Sequence, residues 1–490
     1  MDYSQFLAMK QEICLLVVFL LVFINDTFLP RRAQSGIGII TCILFGVYTA
    51  LGFIPAMIPD GTVEAFSGMY ETSPVIFAIK NILNVGALIV LIQSLRWTAS
   101  DLQVIRRGEF YELLLVTLFG MYLMISGRHF LLFVIGLETA SLPLAAMVAF
   151  DKHRYESHEA AIKYILTAVF SSAILLMGLS MVYGLAGTLY FSGISDVVFC
   201  GVSSAGVVST PLLIVAIAFV MAGMGFKLSL VPFHLWTADV YQGAPTPVTS
   251  YLSVISKGSA AFAFLVILWQ VFGQVYSEAW EWMLYSLIIL TITVGNLFAI
   301  RQQNLKRFLA FSSISQAGYI MLGIVADNAM GMAALMFYIL VYIFSNLAAF
   351  GVIGAIENNC GKVSMDDYNG LSKTNPRLAL TMMLAMFSLA GIPPFAGFFS
   401  KFFIFTSAIN QGSVAIYVLV LIALINTIIS LYYYLLVVKA MYIKTEEPCA
   451  IATFRSATSE RVGMWICVAG ILGLGLVSFF YDSLLTLAGC

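Results

Sequence analysis

The chain has 490 residues, of which 61% are hydrophobic and only 10% are charged, and its formal net charge at pH 7 is -1. Its mean hydropathy of +0.97 excludes an ordinary water-soluble protein of this size. The composition therefore predicts an all-α polytopic membrane protein, and we expect a lipid bilayer and no nucleic acid as its surroundings.

Apolar stretches occupy nearly the whole chain. A helix needs about 20 apolar residues to cross the hydrocarbon core of a bilayer. The first stretch has no small-residue cleavage site, so we expect a transmembrane helix there and not a cleaved signal peptide. Fourteen spans are predicted, at 5–25, 37–57, 74–94, 109–127, 129–150, 160–186, 207–234, 244–271, 281–300, 306–326, 330–355, 377–409, 415–438 and 462–487.

Lysine and arginine are distributed unevenly between the loops. Of the 24 basic residues, 18 fall in the odd-numbered loops, and Lys10 and Arg128 fall on the other side. The positive-inside rule then puts the odd loops in the cytoplasm and both chain ends outside. The remaining basic residues lie inside apolar segments; they are Lys80, Lys227, Lys257 and Lys401.

The presence of these lysines requires an explanation, because inserting a lysine at the centre of a membrane-spanning helix costs roughly 2.5–3.5 kcal/mol. Lys227 and Lys257 lie on either side of a turn near Gln242. Each lysine is about 15–20 Å from that turn along its helix, which puts both near the middle of the membrane. For Lys80, near the outer end of the third span, snorkelling to the interface or pairing with a carboxylate explains its position as well as a functional role does.

Glu138, in "HFLLFVIGLETASLPLAAMVAF", is the acidic residue that we find at the middle of a span. Brought next to Lys227, it would stabilise the charged form of the lysine, and opening the pair would release a proton. A static buried pair that orients two helices is the alternative.

Prolines interrupt two of the lysine-bearing spans. Pro232 follows Lys227 and removes the helical partner of the Leu228 carbonyl, and Pro393 and Pro394 do the same before Lys401. Irregular backbone at membrane depth is tolerated where it faces protein or lines a water-filled cavity. The coincidence of proline and lysine predicts two hydrated cavities, and a simple kink in a packed helix is the alternative.

The spacing of these features predicts a paired design. Spans four to eight and nine to thirteen form two blocks of five, and the fourth member of each block is broken and bears a lysine. An odd number of helices makes the second block run inverted, as in secondary transporters. The predicted segments are 1–108, an N-terminal three-helix segment; 109–271 and 272–438, the two repeats; and 439–490, a loop with helix fourteen.

Other polar residues give weaker evidence of function. His234 lies seven residues after Lys227 and could pass protons or be a structural histidine. Lys306 could be an anchor at the start of the tenth span, and the serines and Gln316 beyond it could be polar contacts between helices. The seven cysteines have no metal-binding spacing, and no phosphate-binding glycine loop occurs, so no cofactor is expected in this chain.

Three stretches carry a resemblance to a known family. They are "GFKLSLVPFHLWTADVYQGAPTPVTSYLSVISK", "LAFSSISQAGY" and "SLAGIPPFAGFFSKFF". They resemble the antiporter-like subunits of respiratory complex I, the NADH:quinone oxidoreductase, and in particular the subunit N type. The family usually has Pro where this chain has Ala238, and the chain lacks the long lateral helix of the L type.

The resemblance implies a role for each position. Glu138 would pair with Lys227, Lys257 would pass protons centrally, and Lys401 would serve the exit half-channel. The chain would be a proton-pumping translocase subunit without redox chemistry of its own, in a bacterial plasma membrane. FMN, iron–sulfur clusters and quinone would lie in other subunits, and the partners would be membrane-arm subunits of the M, K, J, A and H types.

Two other functions stay open at this point. An Mrp-type cation/proton antiporter subunit would use the same fold with ion gradients in place of redox chemistry. A structural scaffold of the membrane arm is the third possibility.

Overall fold

The structure is a computed structural model that describes residues 3–28, 36–100, 107–200, 202–203, 206–207, 210–273, 277–444, 450–477 and 479–489, so the predicted loops at 29–35 and 101–106 lie outside it. Its α-helices are α1 Lys10–Phe28, α2 Ile37–Leu51, α3 Pro74–Thr98, α4 Arg107–Ser126, α5 Phe130–Val148, α6 Tyr155–Ala186, α7 Phe191–Cys200, α8 Thr210–Leu228, α9 Leu235–Gly243, α10 Thr246–Tyr251, α11 Lys257–Phe272, α12 Ser277–Ala299, α13 Leu305–Val325, α14 Ala329–Cys360, α15 Leu371–Thr374, α16 Pro376–Ala390, α17 Ala396–Ile409, α18 Val414–Tyr442, α19 Thr458–Leu476 and α20 Phe479–Gly489. Short 3-10 helices at Tyr3–Met9, Pro55–Met57 and Met365–Tyr368 and a π-helical segment at Leu252–Ser256 complete the helical structure of the described ranges.

These helices reproduce the predicted spans. Twelve helices of the described residues are long and apolar enough to cross a membrane, and α2, α16 and α17 are shorter apolar helices. Because α16 and α17 together form the predicted twelfth span, the helices account for all fourteen predicted spans. The prediction of an all-α polytopic membrane protein is confirmed.

Extended structure is limited to two small hairpins in the described residues. Strand β1, Val63–Ala65, pairs antiparallel with β2, Tyr70–Thr72, and β3, Val202–Ser203, pairs antiparallel with β4, Gly206–Val207. The first hairpin follows α2 and leads into α3, whose N-terminus is capped by Ser73.

Helix α8 lies in the predicted seventh span, 207–234, and α9 begins directly after the end of that span, whereas α16 and α17 are the two halves of the twelfth. Each pair is separated by a short irregular segment that contains the expected prolines, at 229–234 and 391–395. The eighth span is continuous but contains the π-helical segment Leu252–Ser256 directly before Lys257. Irregular backbone therefore lies beside all three predicted relay lysines.

Burial separates central helices from peripheral ones. The most apolar 18-residue window of α13 is fully buried by the rest of the chain, whereas only 33% of the corresponding windows of α6 and α18 is buried. The exposed sides of α6 and α18 are apolar, with Phe170 and Ile428 among their most exposed side chains. An apolar outer surface of this kind is suited to contact with lipid. The polar helix α13 lies at the centre of the bundle.

Candidate functional site

Lys227 lies in the last turn of α8 and is 5% exposed. Its Nζ donates a hydrogen bond to Ser141 Oγ on α5. Glu138 lies one turn earlier on α5, where its Oε1 accepts a hydrogen bond of 2.5 Å from Ser172 Oγ on α6. Residues three apart on a helix are neighbours, so the structure brings the acid and the lysine onto one face of α5.

The direct ion pair expected between Glu138 and Lys227 is not formed in this structure. Within the described ranges, no carboxylate oxygen lies within 4.0 Å of Lys227 Nζ. The hydroxyl of Ser141 is the partner of the lysine instead. The Ser141 hydroxyl in turn donates to the Leu137 carbonyl at 2.6 Å, so it would have to turn away from that carbonyl to bond to Glu138.

The break between α8 and α9 carries a row of buried polar atoms. Ser229 Oγ, His234 Nδ1, Thr237 Oγ1 and Tyr241 Oη have no hydrogen-bond partner in the described part of the chain. The last three residues follow a spacing of three and four, so they share one face of α9. Buried polar atoms are normally satisfied by protein or ordered water, so this row is suited to bind water.

Lys257 begins α11, directly after the π-helical segment, and is 2% exposed. Its Nζ donates to Ser313 Oγ on α13 at 2.7 Å and lies 5.5 Å from the centre of the Tyr241 ring. A lysine at that distance from an aromatic ring gains cation–π stabilisation. Tyr241 therefore joins the polar row on α9 to Lys257.

Polar residues of α13 continue from Ser313 toward the second break. The hydroxyls of Ser312 and Tyr434 lie 2.5 Å apart, and Gln316 Nε2 donates to Tyr434 Oη at 3.0 Å. Gln316 Nε2 also donates to the Leu389 carbonyl at 3.3 Å, at the C-terminal end of α16. Helix α13 thus links the surroundings of Lys257 to the broken twelfth span.

Lys401 lies on α17 and reaches back to the end of α16. Its Nζ donates to the carbonyl oxygens of Leu389 at 3.0 Å and Ala390 at 3.1 Å. These are the carbonyls that the sequence predicts to lose their helical partners at Pro393 and Pro394. The C-terminal end of a helix carries partial negative charge, so a buried cation is favoured there.

A small cavity adjoins this lysine. Its volume is about 10 Å³, and its lining includes Lys401, Gln316, Tyr338, Ser345 and Ser388. A water molecule needs a cavity of about this size and two to four polar partners. The cavity can therefore hold a single water between Gln316 and Lys401.

A buried cluster of ions lies beside this row and was not identified from the sequence. Lys306, which is 1% exposed, lies 2.8 Å from the Glu357 carboxylate, and Arg154 Nη1 lies 2.8 Å from Glu357 Oε1. Thr246 Oγ1 donates to the same carboxylate. Lys306 is therefore a buried partner of an acid, and not the exposed anchor considered above.

A second group of ions surrounds Asp239, in the middle of α9. Asp239 accepts hydrogen bonds from Lys163 Nζ at 2.7 Å and from Arg307 Nη1 at 2.6 Å. Partial burial alone would raise the pKa of Asp239, but these two hydrogen bonds outweigh it and hold the pKa below its ordinary value. Asp239 is therefore ionised at neutral pH and connects α6, α9 and α13.

The chain was compared with known proteins. Residues 127–430 match the family described as NADH:quinone oxidoreductase/Mrp antiporter, TM. The chain is 52% identical over 485 residues to NADH-quinone oxidoreductase subunit N of Phocaeicola vulgatus, with 99% of each protein covered. It is 49% identical over 489 residues to the subunit N of Azobacteroides pseudotrichonymphae genomovar. CFP2, with coverage of 100% of this chain and 99% of the relative.

Solved structures agree with these relatives. A chain of respiratory complex I from Thermus thermophilus matches with a TM-score of 0.78 and 31% identity, over 95% of this chain and 97% of that chain. A chain of the Mrp complex from Dietzia sp. DQ12-45-1b matches with a TM-score of 0.81 over 100% and 97%, but its 20% identity shows the fold alone. The chain belongs to the NADH:quinone oxidoreductase/Mrp antiporter membrane family, and within it to the subunit N group of NADH-quinone oxidoreductase.

Proposed function

We propose that the chain translocates protons as subunit N of a complex I-type NADH:quinone oxidoreductase, through a relay that runs from Glu138 to Lys401. The observation that carries the proposal is the row of polar side chains on α13 between Lys257 and Lys401: Ser313 accepts from Lys257, and Gln316 donates to the Leu389 carbonyl that also accepts from Lys401. Packing alone does not explain why an apolar bundle contains four buried or half-buried ionisable groups with hydroxyls between them, because such groups are costly to bury.

The first half of the relay uses the polar groups of α5 and α9. Ser141 accepts a hydrogen bond from Lys227 Nζ, and when its hydroxyl turns from the Leu137 carbonyl it can pass a proton between Glu138 and Lys227. From Lys227 the path continues along water bound by His234, Thr237 and Tyr241, as their unpartnered polar atoms favour. This path ends at Lys257, which lies over the Tyr241 ring.

The second half of the relay uses α13 and the break before α17. The proton leaves Lys257 through Ser313, follows the neighbouring hydroxyls of Ser312 and Tyr434, and reaches Gln316. An amide and a carbonyl do not readily carry a proton, so a water in the small cavity bridges to Lys401. Lys401 then delivers the proton to the exit side.

Electron transfer has no part in this chain under the proposal. FMN, iron–sulfur clusters and quinone act in other subunits, and coupling reaches this one through charges in neighbouring membrane-arm subunits of the M, K, J, A and H types. The proposal puts the subunit in a bacterial plasma membrane, and the excess of basic residues in the odd loops favours both termini on the periplasmic side.

An Mrp-type cation/proton antiporter is the second candidate function. The fold permits it, since a chain of an Mrp complex has the same fold. The subunit N relatives match at far higher identity over the full chain, and this favours the redox-driven pump. Co-purification with flavin and iron–sulfur subunits supports the pump, and isolation of an active exchanger without such partners would support the antiporter.

The experiment that tests the relay measures proton uptake coupled to quinone reduction in inverted membrane vesicles. Lys227→Ala and Glu138→Ala are expected to lower this uptake by about tenfold or more, since a positioned proton-transfer group contributes roughly 10²–10⁴-fold. The matched control is Lys152→Ala, which removes an exposed lysine in the loop between α5 and α6. Normal uptake in both relay variants, with a native gel showing an assembled complex, would refute the assignment.

A further inference from the structure

A second buried ion pair lies in the N-terminal helices, outside the relay. Lys80 Nζ on α3 lies 2.5 Å from Glu12 Oε1 on α1, and each side chain is 1% exposed. Lys80 also donates to Tyr70 Oη at 3.3 Å, and its Nζ lies 5.3 Å from the centre of the Tyr122 ring. Lys80 is therefore paired with an acid and does not snorkel to an interface.

A polar cavity of about 620 Å³ reaches this pair. It is lined by the start of the chain, including Gln11 and Glu12, and by the loop after α2, including Asp60. The second carboxylate oxygen, Glu12 Oε2, is buried and accepts no hydrogen bond from the part of the chain that the structure describes. Glu12 is thus a lining residue of the cavity, and its buried carboxylate oxygen without a protein partner is a place where water or a hydronium ion can bind.

Of the charged and titratable groups around the pair, Lys80 is the direct counter-charge of Glu12. The nearest cation on a neighbouring element, Arg128, is itself paired with Glu71 at 2.9 Å. The other groups that face the pair or the cavity are Lys10, Asp60, Glu64, Tyr48, Tyr70 and Tyr122. Protonation of Glu12 would therefore remove the negative partner of a fully buried ammonium group.

The helix that bears Lys80 packs against the helix of the central lysine. Leu83, one turn after Lys80 on α3, has its Cδ2 atom 3.3 Å from the position that a Cβ would take on Gly258, the residue after Lys257. The N-terminal ion pair and the relay therefore lie on helices in direct contact.

We propose that Glu12 is a proton-exchange site between this cavity and the interior. Glu12 Oε2 takes a proton from a hydronium ion on the interior side, which leaves water behind, and the ion pair with Lys80 opens. When the pair re-forms, the proton passes to a water in the cavity, which becomes hydronium. The proposal rests on proton translocation by this subunit, and it assigns the exchange to the face that the predicted topology puts outside.

Contact between the cavity and Glu12 can be tested by thiol labelling of the intact complex in sealed vesicles. Glu12→Cys is expected to react with a charged, membrane-impermeant thiol reagent added at the outer face, as Asp60→Cys on the exposed cavity rim does. Asn84→Cys, buried beside Tyr122, is expected not to react. A reactive position 60 with an unreactive position 12 would overturn the proposal.

Exchange at Glu12 is tested by the proton uptake per quinone reduced. Glu12→Gln keeps the shape of the side chain but cannot exchange a proton, so this ratio is expected to fall. Glu71→Gln, the same change in the neighbouring pair, is expected to leave the ratio unchanged. If the single variant does not assemble, the double variant Glu12→Gln with Lys80→Gln leaves no unpaired buried charge and takes its place.

The two proposals fail in different ways. If Lys227→Ala lowers uptake while an assembled Glu12→Gln or double variant has full uptake, the exchange site is wrong and the relay stands. If Lys227→Ala also has full uptake, the proposed function fails. A lowered ratio in the Glu12 variants, with labelling at position 12, supports the exchange site.

Discussion

At the scale of single residues, Glu357 holds more charge partners together than any relay group. Its carboxylate contacts Lys306, Arg154 and Thr246, and its side chain is 14% exposed. Lys306 is more deeply buried, so it depends on this carboxylate for its counter-charge. Removing one member of a buried pair leaves the other charge uncompensated, and that typically costs about 3–5 kcal/mol.

We therefore expect Glu357→Gln to destabilise the subunit strongly. The measurement is the thermal midpoint of the assembled complex together with its yield on a native gel. The control is Glu159→Gln, which breaks a pair with Lys163 whose partners are 48% and 42% exposed, and such a pair is worth below about 1 kcal/mol. Equal midpoints for the two variants would contradict the view that Glu357 neutralises Lys306.

The sequence identifies the buried lysines better than their partners. A lysine in an apolar run stands out because its insertion is costly, and Lys80, Lys227, Lys257 and Lys401 are all buried. Glu12 and Glu357 were missed because they lie toward span ends, where a carboxylate can equally face water. Which hydroxyl bridges a lysine, as Ser141 does for Lys227, depends on packing between helices and has no sequence signal.

At the scale of elements, the break between α16 and α17 couples backbone geometry to the position of Lys401. Gly391 ends α16 in the left-handed conformation, with φ of 87°, and a Cβ there would lie 3.1 Å from Lys401 Cδ. A side chain at this position would be strained and would press on the lysine. The break therefore fixes where Lys401 meets the free carbonyls.

Gly391→Ala is expected to cost about 1–2 kcal/mol for the left-handed backbone and, in addition, to reduce proton uptake by displacing Lys401. Gly361→Ala is the matched control, since Gly361 ends α14 at φ of 69° with no atom within 4 Å of the added Cβ. Thermal midpoints and proton uptake of both variants are compared. The same uptake in both would show that the contact with Lys401 is unimportant.

Hydropathy predicts the elements well, because the bilayer imposes length and apolar character on each span. All fourteen predicted spans have a helical counterpart, and prolines correctly predict the breaks in spans seven and twelve. The π-helical segment before Lys257 could not be predicted, since its residues also fit an ordinary helix. The polar side of α13 was visible in the sequence, but its role as a link between Lys257 and Lys401 required the packing of Tyr434 and Leu389 against it.

At the scale of the whole molecule, the proposed relay crosses from the first predicted five-helix block to the second through α13. The inverted relation of the two blocks, and the segment boundaries drawn from it, stay predictions. In the proposed relay the groups form a single series in which Lys227 precedes Lys401. In a series pathway, loss of either lysine stops the flow of protons.

This arrangement predicts non-additive effects. The double variant Lys227→Ala with Lys401→Ala is expected to lose no more proton uptake than the more severe single variant, since groups that act as a unit are not additive. The comparison uses uptake per quinone reduced in vesicles with matched amounts of complex. Losses that multiply in the double variant would indicate two independent paths.

Proton uptake by the Lys401→Ala variant in inverted vesicles, with a native gel for assembly, tests the relay most directly. Lys401 is the last station, and its partners in the described residues are backbone carbonyls, so its loss leaves no buried carboxylate unpaired. The account predicts an assembled complex in which coupled proton uptake falls about tenfold or more. An assembled Lys401→Ala complex with normal uptake would contradict it.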